Sequence, residues 1–414
     1  MSGSTKSRLV IVQYAGDMRE FSHLLKSTGN QEYYGHKYIL HHTAEIGRSI
    51  DEVVYLCCTS SVAYEEVIEP GLRAVGGSLD PYKDTDRLLK LLERLQPTHL
   101  VVHFPSKAAI QWAVRHQVKV IGVFADSFLG GGILTKLRHA RLAKLLNHSG
   151  VDFIANHGLN SCRSLASIGV KPDKIVPWDF PYELNPADFS EKALGSTDIG
   201  NRNIVYVGAM TESKGVGNIL EALARLKAEN LTPKLTLIGR GDLSRFEAQV
   251  ADLELGDQVN IVGGLPHSEV IEKMRWADIV VVPSWHDYPE GLPLTIYEAL
   301  TVRTPLVISD HPMFLNHFEL GKEVLMFPQK NAGALANCIK TLLTDAEAYA
   351  TLSTHSLEAW SRLQLPVKWH DMLGQWVRNG EKGRQGLLQY SLGQYTYHQP
   401  RQGAERPRPG LTKL

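Results

Sequence analysis

The 414-residue chain is 43% hydrophobic, too long for one ordinary core and rich enough in apolar residues to fill two domains of about 150 to 200 residues. Its 44 Lys and Arg balance 44 Asp and Glu, so no global charge draws it to nucleic acid, and any anion must be held locally. Four cysteines (Cys57, Cys58, Cys162, Cys338) match neither a disulfide framework nor a zinc spacing, and no run nears the ~18 apolar residues of a spanning helix; the expectation is a cytoplasmic chain, soluble or peripheral.

Short β-branched runs alternate with helical stretches, the pattern of parallel sheets with crossover helices. The first series reads RLVIVQY, EVVYLCC, HLVVHF, KVIGVF, DFIAN and KIVPW. After the first run, QYAGDMREF sets Gly16 between strand and helix, either as a plain turn or as a glycine that admits a ligand. HLVVHF carries His103 at its end, an imidazole that is either packed or available for proton transfer. KVIGVF runs into Ala125-Asp126 and then Gly130 to Gly132, a flexible connection or a mobile lip. Pro181 to Asn203 lacks sustained periodicity and reads as a linker.

The second series is NIVYVG, KLTLIG, QVNIVG, DIVVVPS, PLVIS and VLMFP, with helices expected at Val216 to Glu229, Leu243 to Leu253, His267 to Trp276, Leu292 to Val302 and Ala332 to Leu343. Two doubly wound, Rossmann-like α/β domains facing across a cleft follow, with ligands at the carboxyl ends of the strands. The loops to watch are therefore Gly208 to Lys214, Gly239-Arg240 and Gly263-Gly264-Leu265.

WHDYPEGLPLTIYEAL follows a strand buried by composition. Pro293 suits the first helical turn, and the free N–H groups near Gly291, Leu292 and Leu294 make an anion site. Glu298 falls about 200° round from Ile296 at about 100° per residue and is expected to point away from the core. Two carboxylates, Glu290 and Glu298, repel a phosphate unless they accept hydroxyl hydrogen bonds on either side of it. A nucleotide diphosphate sugar has that shape.

PEGLPLTIYEA resembles the Glu-x7-Glu motif of the retaining glycosyltransferases of GT-B fold, family 4, with Glu290 and Glu298 in register. The resemblance implies that Glu290 holds hydroxyls of the transferred sugar, that Glu298 holds the ribose, and that Gly291, Leu292 and Pro293 bring backbone to the diphosphate. VYVGAMTESKG is similar to the first donor-domain loop, so Gly208 and Lys214 would meet the diphosphate, while Arg240, Gly264 and Leu265 lie on loops that would seat the nucleobase. An arginine usual in that first loop is Ala209 here, and the usual His-Asp pair reads Ala125-Asp126. Gly16 would approach the donor from the other half, Asp126 would position or deprotonate the acceptor, and His103 is the nearest imidazole by strand order. The implied domains are 1–185 on the acceptor side, 200–365 on the donor side, a closing helix at 366–380 and a basic, disordered tail at 381–414.

The function implied is retaining transfer of a sugar from a nucleotide diphosphate sugar to a glycan, lipid-linked or small-molecule acceptor, in polysaccharide or glycoconjugate assembly and with neither metal nor cofactor. The alternative is a nucleotide-sugar-binding or scaffold subunit of the same fold, suggested by Ala125 and Ala209. A hydrolase is disfavoured because retaining hydrolysis needs carboxyls about 5 to 5.5 Å apart. A nicotinamide enzyme is disfavoured because no strand runs into G-x-G-x-x-G. The tail has six basic residues against Glu381 and Glu405, leaving association with an anionic membrane surface open.

Overall fold

In the computed structural model, which describes residues 7–29, 31, 35–194 and 199–397, every one of these β-branched runs forms a strand. The first sheet contains β1 (Arg8–Gln13), β2 (Glu52–Cys57), β3 (Tyr64–Glu69), β4 (Leu72–Gly76), β5 (His99–Val102), β6 (Lys119–Phe124), β7 (Val151–His157) and β8 (Ile175–Trp178), in the order β3-β4-β2-β1-β5-β6-β7-β8. The second contains β9 (Asn203–Val207), β10 (Lys234–Ile238), β11 (Val259–Gly263), β12 (Ile279–Val282), β13 (Leu306–Ser309) and β14 (Leu325–Phe327), in the order β11-β10-β9-β12-β13-β14. Counted from β9, that is the 3-2-1-4-5-6 order of doubly wound dinucleotide folds. All pairings are parallel except β3 with β4, which is antiparallel at the sheet edge.

Parallel strands covered by helices on both faces read as unbroken apolar runs. Leu9 to Val12 in β1 and Ile279 to Val281 in β12 are accordingly shut off from solvent. Register aligns Val10 with Val54 and Leu100, and Phe124 with Asn156, so the ends of neighbouring strands rise together.

The chain divides into two units. One holds the described residues up to Pro181 together with Pro289–Gly291 and Leu365–Thr396; the other holds Tyr182–Tyr288 and Leu292–Gln364. Two expectations change. The helix near the end runs from Trp369 to Leu388, so Glu381 to Leu388 belong to it rather than to a tail; only Gly380 departs from helical geometry, at φ 51° and ψ −127°. Its buried Trp369, Met372 and Trp376 pack within the first unit, where the Trp376 indole N–H donates to Asp152 Oδ2 at 2.7 Å, an anchor that carries the helix past the break. Beyond the helix, residues 389–396 stay in the first unit, where Leu392 N–H donates to Ile175 O at 2.7 Å, and residues 398–414 of the proposed tail lie outside the described residues. The second change is a helix at Ala346–Leu363 that the sequence reading had not assigned.

Candidate functional site

In the second unit the switch point lies between β9 and β12, and the loops that follow these strands are laced together. Gly208 N–H donates to Ile238 O at 3.0 Å, Met210 N–H to Arg240 O at 2.8 Å and Gly239 N–H to Gly263 O at 2.8 Å. Gly215, at φ 75°, closes the first loop where a Cβ would stand 2.2 Å from Pro283 O. Only glycine fits that approach. The Lys214 ammonium lies 4.4 Å from the centre of the Tyr288 ring, a cation–π contact that holds it over the loop following β12. Arg240 stands beside Gly264: a Cβ there would lie 2.9 Å from Arg240 Nε. Both expected cations are thus on loops at the carboxyl end of the sheet.

The loop after β12 is itself fixed. Trp285 N–H donates to Ser213 O at 2.8 Å and its indole to Asn218 Oδ1 at 2.7 Å. Asp310, just beyond β13, accepts from His286 Nε2 and from Gln329 N–H, each at 2.8 Å, and His311 Nε2 donates to Tyr288 O at 3.1 Å. The sequence reading missed His286, Asp310 and His311. Their shared position just past adjoining strand ends was the available signal.

The helix expected at Leu292 begins at Leu294 and ends at Thr301, with Pro293 as its N-cap at φ −60° and ψ 137°. The start lies two residues later than expected and Pro293 precedes the first turn, which leaves the first N–H groups unclaimed by any side-chain cap. Glu298 is only 9% exposed and does not face solvent as its helical angle suggested. Every residue from Ile296 to Thr301 is buried, because other helices cover the side turned from the sheet, and His267 Nε2 meets Glu298 Oε1 at 2.9 Å. Glu290, 6% exposed, is also buried. Neither is the solvated carboxylate that base rates favour.

In the first unit, Gly291 sits where a Cβ would be 3.2 Å from Ala125 O and 3.3 Å from His157 O, at the ends of β6 and β7. Asp126 follows Ala125, its backbone gripped by Asn156, whose Nδ2 donates to Asp126 O at 2.8 Å and whose Oδ1 accepts from Asp126 N–H at 3.2 Å. Burial pushes its carboxyl up to about 6. Tyr14 and the exposed Tyr82 pack on Phe104 with ring centres 6.1 and 5.3 Å away, and desolvation first, then the charge of Asp126, push the Tyr82 phenol up.

His103 is half-buried, with Nε2 cut off from solvent and without a hydrogen-bond partner, and its ring lies 6.1 Å from Trp369. Burial pushes it down to about 4, so it is neutral near pH 7. His157, unremarked in the sequence, stands at the end of β7, two strands from His103, and shares a 3.1 Å contact between Nε2 and Asp179 Oδ1, both side chains buried. Gly16 adopts φ 86°, yet the helix that follows is already capped by Asp17, which accepts from Arg19 N–H at 3.0 Å. A phosphate there would share the helix start with a carboxylate. Among the described residues, no group of three or more His, Cys, Asp or Glu is arranged to hold a metal ion, and no helix is long and apolar enough to cross a membrane.

Residues 193–357, less than half of the chain, match the family described as Glycosyl transferases group 1. The amylovoran biosynthesis glycosyltransferase AmsK of Erwinia amylovora is 34% identical over 189 residues, 45% of this chain and 42% of AmsK, so the match spans under half of that relative's length. Among solved structures, the sucrose-phosphate synthase of Thermosynechococcus elongatus is similar with a TM-score of 0.67 at 17% identity, over 90% of this chain and 99% of that one. Anabaena Alr3699/HepE in complex with UDP-glucose gives 0.61 at 13% identity, over 90% and 98%. Identities that low speak for the fold alone. The chain has the GT-B fold, two Rossmann-like halves each built on a largely parallel sheet, and residues 193–357 match the Glycosyl transferases group 1 family.

Proposed function

We propose that the protein transfers a sugar from a nucleotide diphosphate sugar to an acceptor hydroxyl, with retained anomeric configuration, in the assembly of a polysaccharide or glycoconjugate. The observation that carries this reading is the burial of the Glu298 carboxylate on a helix whose start has no side-chain cap, at the carboxyl end of the second sheet. AmsK is named for amylovoran biosynthesis and Alr3699/HepE was solved with UDP-glucose, which supports a glycan product and a nucleotide-sugar donor.

Glu298 is assigned to the ribose hydroxyls and Glu290 to hydroxyls of the transferred sugar. Lys214, Arg240 and the N–H groups at Leu292 and Leu294 stabilise the diphosphate as the bond from the anomeric carbon to the phosphate oxygen breaks. Gly208, Gly264, Leu265, Gly291 and Pro293 contribute backbone. The acceptor oxygen then bonds to the anomeric carbon, and Asp126 is the group assigned to take its proton. Catalysis of this kind is mainly electrostatic, and removing one donor to the developing charge costs about 3 kcal/mol.

The test is turnover with a panel of UDP- and GDP-sugars, with and without glycan acceptors, followed by nucleotide release. Release abolished by Glu290→Ala, with nucleotide still bound, supports the reading. Binding without any release, across donors and acceptors, would convert it to the scaffold alternative.

A further inference from the structure

In the first sheet β1, β5 and β6 are neighbours, and just past their ends stand Tyr14, Phe104 and Asp126. Phe104 is 1% exposed, the usual state of a phenylalanine ring. The two tyrosines that flank it are not buried: Tyr14 is 39% exposed and Tyr82 65%, each meeting Phe104 edge-on with the rings inclined at 64°. Tyr82 is held out on a fixed turn. Its N–H donates to Asp80 Oδ1 at 2.9 Å, Asp84 N–H donates to Asp80 O at 2.8 Å, and Asp84 Oδ2 accepts from Asp80 N–H at 2.8 Å, just before the helix Thr85–Leu95. The same turn engages the cations beside it, Lys83 with Asp80 at 3.3 Å and Arg87 with Asp84 at 3.8 Å.

We propose that Tyr14 and Tyr82 form a stacking platform for the pyranose ring of a neutral sugar, with a hydroxyl of that sugar donating to Asp126. Folding gains nothing from leaving two aromatic rings in water around a third that is buried, and a turn closed by three hydrogen bonds holds Tyr82 in place. A ligand ring that covers the tyrosines recovers that apolar contact. A pyranose has the matching chemistry, a face of C–H groups for the aromatic rings and a rim of hydroxyls for a carboxylate. Asp126 is near enough to the platform for its charge to act on the Tyr82 phenol. Other occupants fit less well. A phosphate would meet Asp126 and Asp80 while Lys83 and Arg87 are already engaged, and an acyl chain would leave the Asp126 carboxylate without a donor. That the bound sugar is the acceptor, its hydroxyl presented to the group assigned to take the proton, rests on the transfer reaction proposed above; the stacking of a sugar ring does not. The acceptor class named in this way is a glycan terminus rather than a polyol phosphate or a lipid alcohol.

The full-length chain is mixed with the methyl pyranosides of glucose, galactose, mannose and N-acetylglucosamine, and with adenosine, and saturation-transfer NMR reads binding with no donor present. At least one pyranoside is expected to receive saturation chiefly on the C–H groups of one ring face. Tyr82→Ala and Tyr14→Ala each weaken its Kd about fivefold, Asp126→Ala weakens it by a similar factor, and Tyr82→Phe keeps it within about twofold. Tyr82 faces solvent, so the unfolding midpoint of Tyr82→Ala stays at that of the parent chain and separates lost binding from lost folding. Absence of saturation in every pyranoside overturns the proposal, as does an affinity that Tyr82→Ala leaves unchanged, which would place the sugar elsewhere on the chain. So does adenosine alone losing affinity in Tyr82→Ala, which would assign the rings to a nucleobase. Turnover tells the platform from the reaction it serves. With a donor and a glycan acceptor, Tyr82→Ala raises the acceptor KM about fivefold and lowers kcat less. Turnover with an unmoved acceptor KM overturns the platform and leaves the transfer reaction standing. Pyranoside binding that depends on Tyr82 but is never accompanied by nucleotide release, across donors, overturns the transfer reaction and leaves the platform.

Discussion

Replacing Glu298 by Ala separates a ligand carboxylate from a structural one. Its Oε1 lies 2.9 Å from His267 Nε2 and the side chains are 11% and 13% exposed, so a stability cost is expected whichever role it serves. Leaving a buried partner unsatisfied costs about 1 to 3 kcal/mol. His267→Ala breaks the same contact and should cost a similar amount, because either change removes one half of it. Nucleotide affinity divides the two. If Glu298 accepts ribose hydroxyls through charge-assisted hydrogen bonds of about 1.5 to 3 kcal/mol, its loss weakens Kd by about 10- to 150-fold. His267→Ala retains the carboxylate and should weaken it only a few-fold. Isothermal titration with UDP and with GDP, beside thermal unfolding of both variants, gives the comparison. If Glu298→Ala binds the preferred nucleotide within twofold of the parent while its unfolding midpoint falls with that of His267→Ala, the carboxylate serves the fold alone and the donor assignment is wrong.

Gly215→Ala should lower stability by at least about 2 kcal/mol, since it combines a left-handed backbone with a Cβ driven into Pro283 O; an unshifted unfolding midpoint would mean that the loops after β9 and β12 are less tightly apposed than described. Asp126 with its carboxyl near 6 gives an acid limb: as a base it is active when ionised, so kcat/KM falls about tenfold per pH unit below about 6, and in Asp126→Asn the limb disappears along with most of the activity. An unchanged profile in that variant would remove Asp126 from the reaction. His103 refuses a proton until about pH 4 while the unfolded chain accepts one near 6.5. Stability is therefore unpenalised above about pH 6.5 and falls by about 3 kcal/mol as pH drops from about 6.5 to 4. His103→Leu should flatten that part of the urea-midpoint curve, and a curve of the same slope would show that the imidazole is not excluded from protonation in the native state.

Strands buried on both faces announce themselves because nothing polar interrupts them, which is why the core strands of both sheets could be read from Leu9-Val10-Ile11-Val12 or Ile279 to Val282. β3 and β4 were lost for the opposite reason. Tyr64–Glu69 is an edge strand with Glu65, Glu66 and an exposed Val67, and Leu72–Gly76 is short and follows the Pro70-Gly71 turn. Glycines at positions 374, 380, 383 and 386 hid the continuation of the last helix, whose stability comes from Trp369 and Trp376 in the core of the first unit rather than from propensity. In Ala346–Leu363, buried Ser353 and Ser356 break the apolar stripe that would have marked it; Ser353 Oγ donates to Arg303 O at 2.8 Å, a contact 50 residues away that no local pattern encodes.

The site divides along the same line. The placement of Glu290, Lys214 and Arg240 on loops past strand ends was legible because each is fixed by its place in one strand, loop and helix unit, and such a unit is written contiguously. Environment is not. The burial of Glu298 depends on His267, 31 residues earlier, and on helices that cover the far side of its own; a helical wheel knows only one neighbour, the sheet. The same limit governs the imidazoles. Reading strands in chain order selected His103 as the nearest imidazole, but β6 has neighbours on both sides, and β7 sets His157 beside Ala125 through the Phe124–Asn156 register. His103 is packed towards Trp369 with a silent Nε2, whereas His157 is oriented by the buried Asp179 carboxylate and stands next to Gly291. The order of strands in a sheet, which decides which loop ends meet, is a property of the pairings and not of the chain. A sequence can therefore nominate the residues of a strand-end site one strand at a time, and only the register of the sheet shows which of them are neighbours.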